Sequence, residues 1–599
     1  MERLPDPEAE RAHLESLLDP HERQGVLDGR IVVDEWAGGI AQERAAVPSV
    51  RVGRRWVNSL WILPLAVAGL LLSIAVAQQL RRYGWMQDFI DRFPGTSATY
   101  AAAVDSGFPW WLRWQHFFNL VFLMFIIRSG LQILADHPRL YLDPGCRPGK
   151  EWLRMRGPVP ADRLDPDDPE RVWTAKADSV SLPRWLGIPG FRHSIGLARW
   201  WHFGFDLLWI VNGALFLVLL FVSGQWARMV PRSLDVFPNA VSTAVQYLSL
   251  NFPANESFTR YNALQMLAYF LTVFVAAPLA LVTGLLQAPA LAARFRIAKG
   301  LLNRQIARSV HFAVLLWMVL FTLMHTVMVF TTGLVPNLNH ITLGSDGSSW
   351  WAVVVYVMWM AVVVVLWLWA SPFTIRNPRT VQRVGKALVG RFKAMMEWWN
   401  PKANYAERDI SPYLWPNGEP PTSEEYDRLR AGDWSEFELE ITGLVEEPCE
   451  ISWDELLAMP EHEQVTQLYC IQGWSGIAKW GGVKMSDLLA LVRPLPEAKW
   501  VVFYSFAEGP ETPGTGRYYD CHRIEHMAHE NTILAYEMNG ERLGVTHGAP
   551  LRLRNELELG FKQVKWVEAI ELVASFDHLG AGYGGYNEDQ EFFGYRMPI

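Results

Sequence analysis

Cysteine is scarce in this chain. Its 599 residues hold four, Cys146, Cys449, Cys470 and Cys521, and no two of them form a CxxC pair. That excludes a disulfide framework, a haem-attachment CxxCH motif and a four-cysteine iron–sulfur pattern. An excess of positive charge is missing too. The formal net charge is −8, which argues against a nucleic-acid-binding protein. The opening stretch, MERLPDPEAERAHLESLLD, lacks both the basic-then-apolar profile of a cleaved signal and a twin-arginine start. Nothing in it marks a later domain for export, so the side on which such a domain lies must follow from topology.

What the chain does have is apolar surface, 50% of residues, and 29 tryptophans. These are unevenly spread. From about residue 58 to 372, long apolar runs alternate with short polar loops, whereas the sequence after about 400 reads as a soluble domain. A span needs about 20 mostly apolar residues. Six segments meet this: 58–80, 112–135, 200–223, 262–288, 308–333 and 351–371. The loop at 334–350 contains no lysine or arginine, while Arg51, Arg54 and Arg55 precede the first span. Arg139, Arg147, Lys150, Arg154 and Arg156 follow the second, and Arg294, Arg296, Lys299, Arg304 and Arg308 precede the fifth. Arg81 and Arg82 alone argue the other way. Positive loops stay inside. Both termini and the C-terminal domain are therefore expected on the cytoplasmic side of a cell inner membrane.

Four histidines fall inside these spans: His116, His202, His311 and His325. Ionisable residues there are costly and point to function. The fourteen residues from His311 to His325 advance a helix about 21 Å and return to within about 40° of the same face. Alternating span directions put His202 beside His311 at the cytoplasmic depth and His116 beside His325 at the outer depth. Singly, each could be a core hydrogen-bonding group. As two matched pairs they suit two bis-imidazole b-type haems. The arrangement over the second to fifth spans resembles the di-haem cytochrome subunits of formate dehydrogenases and hydrogenases. His193 and His340 lie outside the apolar runs and read as loop residues. Arg128 reads as snorkelling to the interface rather than pairing with a haem propionate.

Residues 380–399, TVQRVGKALVGRFKAMMEWW, mix basic and apolar positions at helical spacing. This fits either an interfacial helix or a linker helix packed on the soluble domain. The organisation expected is thus a tail at 1–57, a six-span domain at 58–372, a linker helix at 373–403 and a final domain at 404–599. That last region reads as short strands punctuated by glycine and proline, an α+β domain.

Five stretches of it resemble the molybdopterin domain of the sulfite oxidase family: SPYLWPNGEPP, YCIQGWSG, LAYEMNG, HGAPLRLR and GFKQVKWVEAIEL. The resemblance covers about 405–590. It implies that Cys470 ligates molybdenum beside the pterin's two dithiolene sulfurs, so that one soft thiolate suffices. It further implies pterin contacts from Asn417, Glu508, His547, Arg552, Gln563, Val564 and Lys565, and an active-site tyrosine at Tyr586, with Tyr583 as competitor. Cys146, Cys449 and Cys521 read as structural cysteines. Trp415 and Pro416 precede Asn417, and IQGWSG follows Cys470. Neither place offers the arginines with which the family holds sulfite, which puts plain sulfite oxidation in doubt. CIQGWSG looks more like the bacterial branch containing methionine-sulfoxide reductase catalytic subunits. Those work at the periplasmic side, opposite to the side expected here, and the family's immunoglobulin-like dimerisation domain is not expected.

The expected fold is an all-α membrane bundle of six helices followed by a strand-rich α+β molybdopterin domain. The expected activity is molybdopterin-dependent oxidoreduction of a small-molecule substrate, linked through two b haems to quinone or quinol in membrane lipid. A homo-oligomer is compatible with this. Two alternatives belong to other classes: a haem-bearing electron carrier whose molybdopterin-like domain docks or senses, and a six-span transporter.

Overall fold

The computed structural model describes residues 48–105, 107–159, 163, 172–252, 259–289, 303–396, 405–508 and 517–594, with backbone alone for 391–396 and Glu508. Among them, six helices are long and apolar enough to cross a membrane. They are Ser59–Leu80, Trp110–Asp136, Ile195–Val222, Ala263–Gln287, Arg304–Thr331 and Trp351–Arg376. Leu63, Leu71, Val222, Leu323 and Val365 point outward, as side chains meeting lipid rather than water do.

Two spans begin earlier than their apolar runs. The fifth starts at Arg304 because Asn303 caps it, its side chain accepting from the backbone N–H groups of Gln305 and Ile306. Its polar first turns are buried against other parts of the protein. The third starts at Ile195. The fourth contains a widened π turn over Leu271–Ala276. Pro278, just beyond it, lacks the N–H that would continue an ordinary helix.

Arg128 departs from the snorkelling expectation. It is fully buried and donates to the carbonyls of Trp367 (2.6 Å), Arg184 (2.7 Å) and Gly187 (2.8 Å) and to Ser371 Oγ (3.0 Å). It ties the second span to the sixth and to the loop before the third.

The expected tail is structured where it is described. Strands β1 (Ser49–Val52) and β2 (Arg55–Asn58) form a hairpin, and β3 (Arg139–Leu140) and β4 (Leu153–Arg154) come from the loop after the second span. The sheet order is β2-β1-β4-β3. Residues 1–47 lie outside the described residues. This sheet sits at the end of the bundle where the fifth span begins: Trp152 Nε1 donates to Ser309 Oγ (2.9 Å), and Arg308 donates to the carbonyls of Arg139 (2.9 Å) and His137 (2.7 Å). At the other end Arg113 reaches the Thr342 carbonyl (2.7 Å) and Arg228 that of Gly107 (3.0 Å). His193 is a buried loop residue before the third span, at the end facing the C-terminal domain. His340 is buried at the opposite end, 3.1 Å from Asp346, and stands in a short helical turn, Asn339–Leu343, rather than in a loop.

The C-terminal domain has two sheets, built from β5 (Glu438–Gly443), β6 (Cys449–Ser452), β7 (Glu461–Tyr469), β8 (Ser475–Lys484), β9 (Trp500–Glu508), β10 (Arg517–Arg523), β11 (Thr532–Met538), β12 (Glu541–Arg542), β13 (Arg552–Asn555) and β14 (Val567–Val573). One sheet runs β10-β9-β14-β5-β6. The other runs β12-β11-β8-β7, with β13 paired to β11. Their apolar core includes Trp480, Leu534 and Ile570, and it is continuous with Tyr141, Cys146 and Ile195 of the membrane part. The two regions therefore share buried surface.

The helix after the last span, Pro378–Met396, is packed on protein along one side. Val381 joins Leu197, Trp200 and Phe592 in one cluster. Arg379 and Gln382 donate to the carbonyls of Glu588 (2.9 Å) and Phe593 (2.6 Å). Val384 and Leu388 remain exposed.

Candidate functional site

The bundle brings its four histidines together in the two expected pairs. The rings of His202 and His311 are 6.4 Å apart between centres, and those of His116 and His325 are 6.1 Å apart. Two metal–imidazole bonds of about 2.0–2.1 Å each, plus roughly 1 Å from each nitrogen to its ring centre, require about 6 Å. The spacing thus has room for one metal between each pair.

Hydrogen bonds settle which ring nitrogen is free. His202 Nδ1 lies 3.1 Å from the Ile126 carbonyl, which can only accept, and 3.0 Å from Ser129 Oγ, whose own proton goes to the Phe125 carbonyl. His311 Nδ1 lies 3.0 Å from Thr283 Oγ1, whose proton goes to the Leu279 carbonyl. In both, Nδ1 carries the hydrogen and Nε2 keeps its lone pair, as an iron ligand must. Nε2 of His202 is also 3.6 Å from Asp206. His325 Nδ1 lies 3.3 Å from the Tyr269 hydroxyl. Space is kept beside the inner pair by small residues: a Cβ on Gly130 would come within 3.2 Å of His202, and one on Gly284 within 3.6 Å of His311.

In the C-terminal domain, Cys470 directly follows β7 and is 3% exposed. Its N–H donates to the Trp474 carbonyl (3.1 Å), closing the tight CIQGW turn, and its thiol faces Gln472 Oε1 at 3.7 Å. Burial pushes the thiol up to about 12, so an unliganded Cys470 is a thiol, and a cation at the sulfur is what would favour the thiolate.

The HGAPLRLR segment folds His547, Arg552 and Lys565 into one recess. Gly548 takes φ +116°, and a Cβ there would lie 3.0 Å from the Lys565 stem and 3.3 Å from that of Arg552. Only glycine lets both stems approach. Arg552 donates to the His547 carbonyl (3.1 Å) and Lys565 to that of Thr546 (2.8 Å), while Arg552 Nε is buried without a partner. No carboxylate hydrogen-bonds either cation among the described residues. Burial lowers Arg552 to about 9, and burial with Arg552 alongside drives Lys565 well below the usual lysine range. Burial, Arg552 and Lys565 hold His547 down to about 3. An electropositive recess with donors to spare fits a phosphate-bearing cofactor.

The remaining expected residues are differently placed. Gly418, next to Asn417, lies against Trp566 and the end of Lys565, which brings Asn417 to the same recess. Gln563 is turned into the protein, donating to the carbonyls of Asn555 (3.0 Å) and Glu558 (3.1 Å) and accepting from Arg554. Val564 is buried and accepts from the Leu553 N–H at 2.8 Å. Glu508 ends β9 opposite Arg517, and its side chain lies outside the described residues. Tyr586 packs at a tilt against Tyr518, ring centres 5.1 Å apart, and Tyr583 lies under the Arg379 guanidinium at 3.8 Å. Neither contact is with Cys470. Nearby Lys562 is held by Asp520 and by Glu588 (2.8 Å) in the interior.

Charge counting along the sequence misses the junction. Arg304 and Arg308, counted there as loop charges, lie on the first turns of the fifth span. Arg304 donates to the carbonyls of Trp474 (3.1 Å) and Cys470 (3.2 Å), and Gln305 to that of Gly473 (3.0 Å). Gln472 donates to the Asp136 carbonyl at the end of the second span (3.4 Å). The Cys470 turn is therefore gripped by the helix that carries His311 seven residues further on, about 10 Å along its axis. A hint existed in the sequence, since Asn303 is a helix cap that would place Arg304 inside the helix.

Comparison with known proteins matches this division. Residues 107–344 match the family described as prokaryotic cytochrome b561, and residues 427–578 match the oxidoreductase molybdopterin binding domain. The chain thus joins a cytochrome b membrane domain to a molybdopterin-binding oxidoreductase domain. Among individual proteins, it is 34% identical over 166 residues to the Azospira oryzae protein YedZ1, named for a subunit of a protein-methionine-sulfoxide reductase, covering 28% of this chain and 58% of that one. It is 33% identical over 153 residues to the protein-methionine-sulfoxide reductase catalytic subunit MsrP of Xanthomonas campestris, covering 24% and 46%. The chain spans about half the length of the curated relatives it matches. The sulfane dehydrogenase SoxCD of Paracoccus pantotrophus aligns over 25% of this chain and 42% of its own at 24% identity, with a TM-score of 0.22, too low to define a shared fold.

Proposed function

We propose that this chain is a membrane-bound molybdenum oxidoreductase that takes electrons from quinol and reduces a sulfoxide-type substrate. Cys470 would ligate the metal. His202 with His311, and His116 with His325, would each hold a b haem. Bound molybdenum supplies two-electron oxygen-atom chemistry, and haems pass electrons singly. For a sulfoxide, the S–O bond breaks as two electrons and two protons arrive, leaving a sulfide and water.

The chain's own residues have distinct parts in this reading. Arg552, Lys565 and His547, with Asn417 beside them, would seat the cofactor's phosphate. The backbone of Gln563 and Val564 would line its path, with Gln563's side chain supporting the fold. Tyr586, or Tyr583, and Glu508 remain candidates for contacts at the rim. Spans three and five would deliver electrons to the Cys470 end. The arginine-rich loop after the second span packs at that same end beside the C-terminal domain, and by the positive-inside rule this end would face the cytoplasm of the inner membrane.

One observation carries the proposal. Arg304 bonds the carbonyl of Cys470, and its helix bears His311, so metal-binding and haem-binding residues are joined by one rigid element. The direction, towards reduction, is favoured by the names of the relatives. The test is elemental analysis with a reduced-minus-oxidised visible spectrum of the purified protein. About one molybdenum and two b haems per chain are expected. Haem without molybdenum would favour the electron carrier with a docking domain, and neither would leave a transporter.

A further inference from the structure

The molybdopterin domain lacks an arginine next to Cys470, yet a guanidinium reaches the same neighbourhood from the membrane. A narrow, half-open cleft whose enclosed part holds about 10 Å³ lies between the third span and the C-terminal domain, lined by Gly196, Arg199, Trp200, Phe203, Ile471 and Phe593. Ile471 is the residue after Cys470. Gly196 makes the close approach feasible, because a Cβ there would meet Glu591 and Phe593.

Arg199 is the charged group in this lining. Its Nε is buried without a hydrogen-bond partner, and no ion pair or hydrogen bond engages its guanidinium among the described residues. Its guanidinium carbon lies 4.9 Å from the centre of the Phe203 ring. A buried donor such as this Nε, left unpaired, is costly unless something else uses it. The rest of the lining is apolar and aromatic.

Resting on the reading of Cys470 as the metal ligand, we propose that Arg199 is the substrate-binding cation of this enzyme, supplied by the membrane domain to the molybdopterin site. One guanidinium among Trp200, Phe203, Ile471 and Phe593 suits a neutral molecule with an apolar body and a single polarised S–O or N–O oxygen. A sulfate-like dianion needs several charged donors, so it is excluded from the cleft. The specificity of the site thus comes from a residue three positions before His202.

The same position invites a different partner, a haem propionate, and the test separates them. Dimethyl sulfoxide binding to the oxidised holoprotein is measured by ligand-observed NMR line broadening, which needs no turnover. Haem content, haem spectrum and midpoint potentials are recorded on the same samples. Arg199→Gln is expected to weaken binding at least about tenfold, the loss of one charge-assisted hydrogen bond, with molybdenum and both haems unchanged. Arg199→Lys should recover part of it, and sulfate should not compete. Unchanged dimethyl sulfoxide binding in Arg199→Gln overturns the inference, as does a shifted haem potential with binding intact. Wild-type protein devoid of molybdenum would instead overturn the reading of Cys470, and the two failures are told apart by the metal analysis.

Discussion

The bundle and the C-terminal domain hide their functional residues in opposite ways. In the bundle the background is apolar, so an imidazole stands out, and its partner stands out too. In the C-terminal domain the background already contains buried charges, and a functional cation looks like a structural one. Lys562 and Lys565 are three residues apart; Lys562 is fully buried and Lys565 partly so. Lys562 is neutralised by Asp520 and Glu588, whereas Lys565 reaches only carbonyl oxygen and the Trp566 face at 3.9 Å. Buried charge that is paired serves the fold, and charge left over is the candidate for holding a ligand.

That contrast can be broken most sharply at Cys470. Cys470→Ser should abolish substrate-dependent haem oxidation while leaving both haems in place. Equal turnover in the variant would remove the thiolate from the mechanism. On the other side, His311→Ala should cost one haem of two, the one nearer the C-terminal domain, and His325→Ala the other. Quantifying haem in each variant checks this, and loss of both in either would merge the two sites into one.

Lys562→Met should destabilise the protein by about 3–5 kcal/mol, because two carboxylates are left buried without their cation. Thermal unfolding of the full chain measures it, and the haem spectrum at low temperature should not change. Arg304→Ala removes two hydrogen bonds to carbonyls of the Cys470 turn. A cost of about 1.5–3 kcal/mol in docking is expected for a charged donor, read as slower haem oxidation with both haems retained.

A further effect is expected in acid. Unfolded histidine takes up a proton near 6.5, but burial beside Arg552 and Lys565 keeps folded His547 neutral to about 3. The unfolded state therefore binds more protons across this range. The contribution is fully present above about 6.5 and is lost as pH falls towards 3. His547→Gln should flatten that part of the curve of unfolding temperature against pH.

How far the sequence could be read follows from the same contrast. The six spans were legible from hydropathy because lipid imposes a length. Their ends were not, because the first turns of span five are polar, and those of spans three and five are buried in protein rather than lipid. The histidine pairs were legible from spacing and alternating direction. Arg128 was misread, since hydropathy cannot distinguish a guanidinium bonded to carbonyls inside a bundle from one reaching the interface. In the C-terminal domain, Cys470, His547, Arg552 and Lys565 were found by resemblance and converge around one turn and one recess. Gln563 and Val564 were matched as backbone contacts, which is compatible with a Gln563 side chain that bonds Asn555, Glu558 and Arg554 in the interior. The grip of Arg304 and Gln305 on the Cys470 turn joins residues some 170 positions apart, and neither local pattern nor charge carries that information.

The central claim is that the thiolate site and the haem pairs work as one unit. Its direct test is to reduce the purified protein with dithionite, remove excess reductant, add methionine sulfoxide anaerobically and follow the haem absorbance. The account predicts reoxidation of both haems, with one sulfide formed per two electrons. Haems that stay reduced in protein containing molybdenum would contradict it.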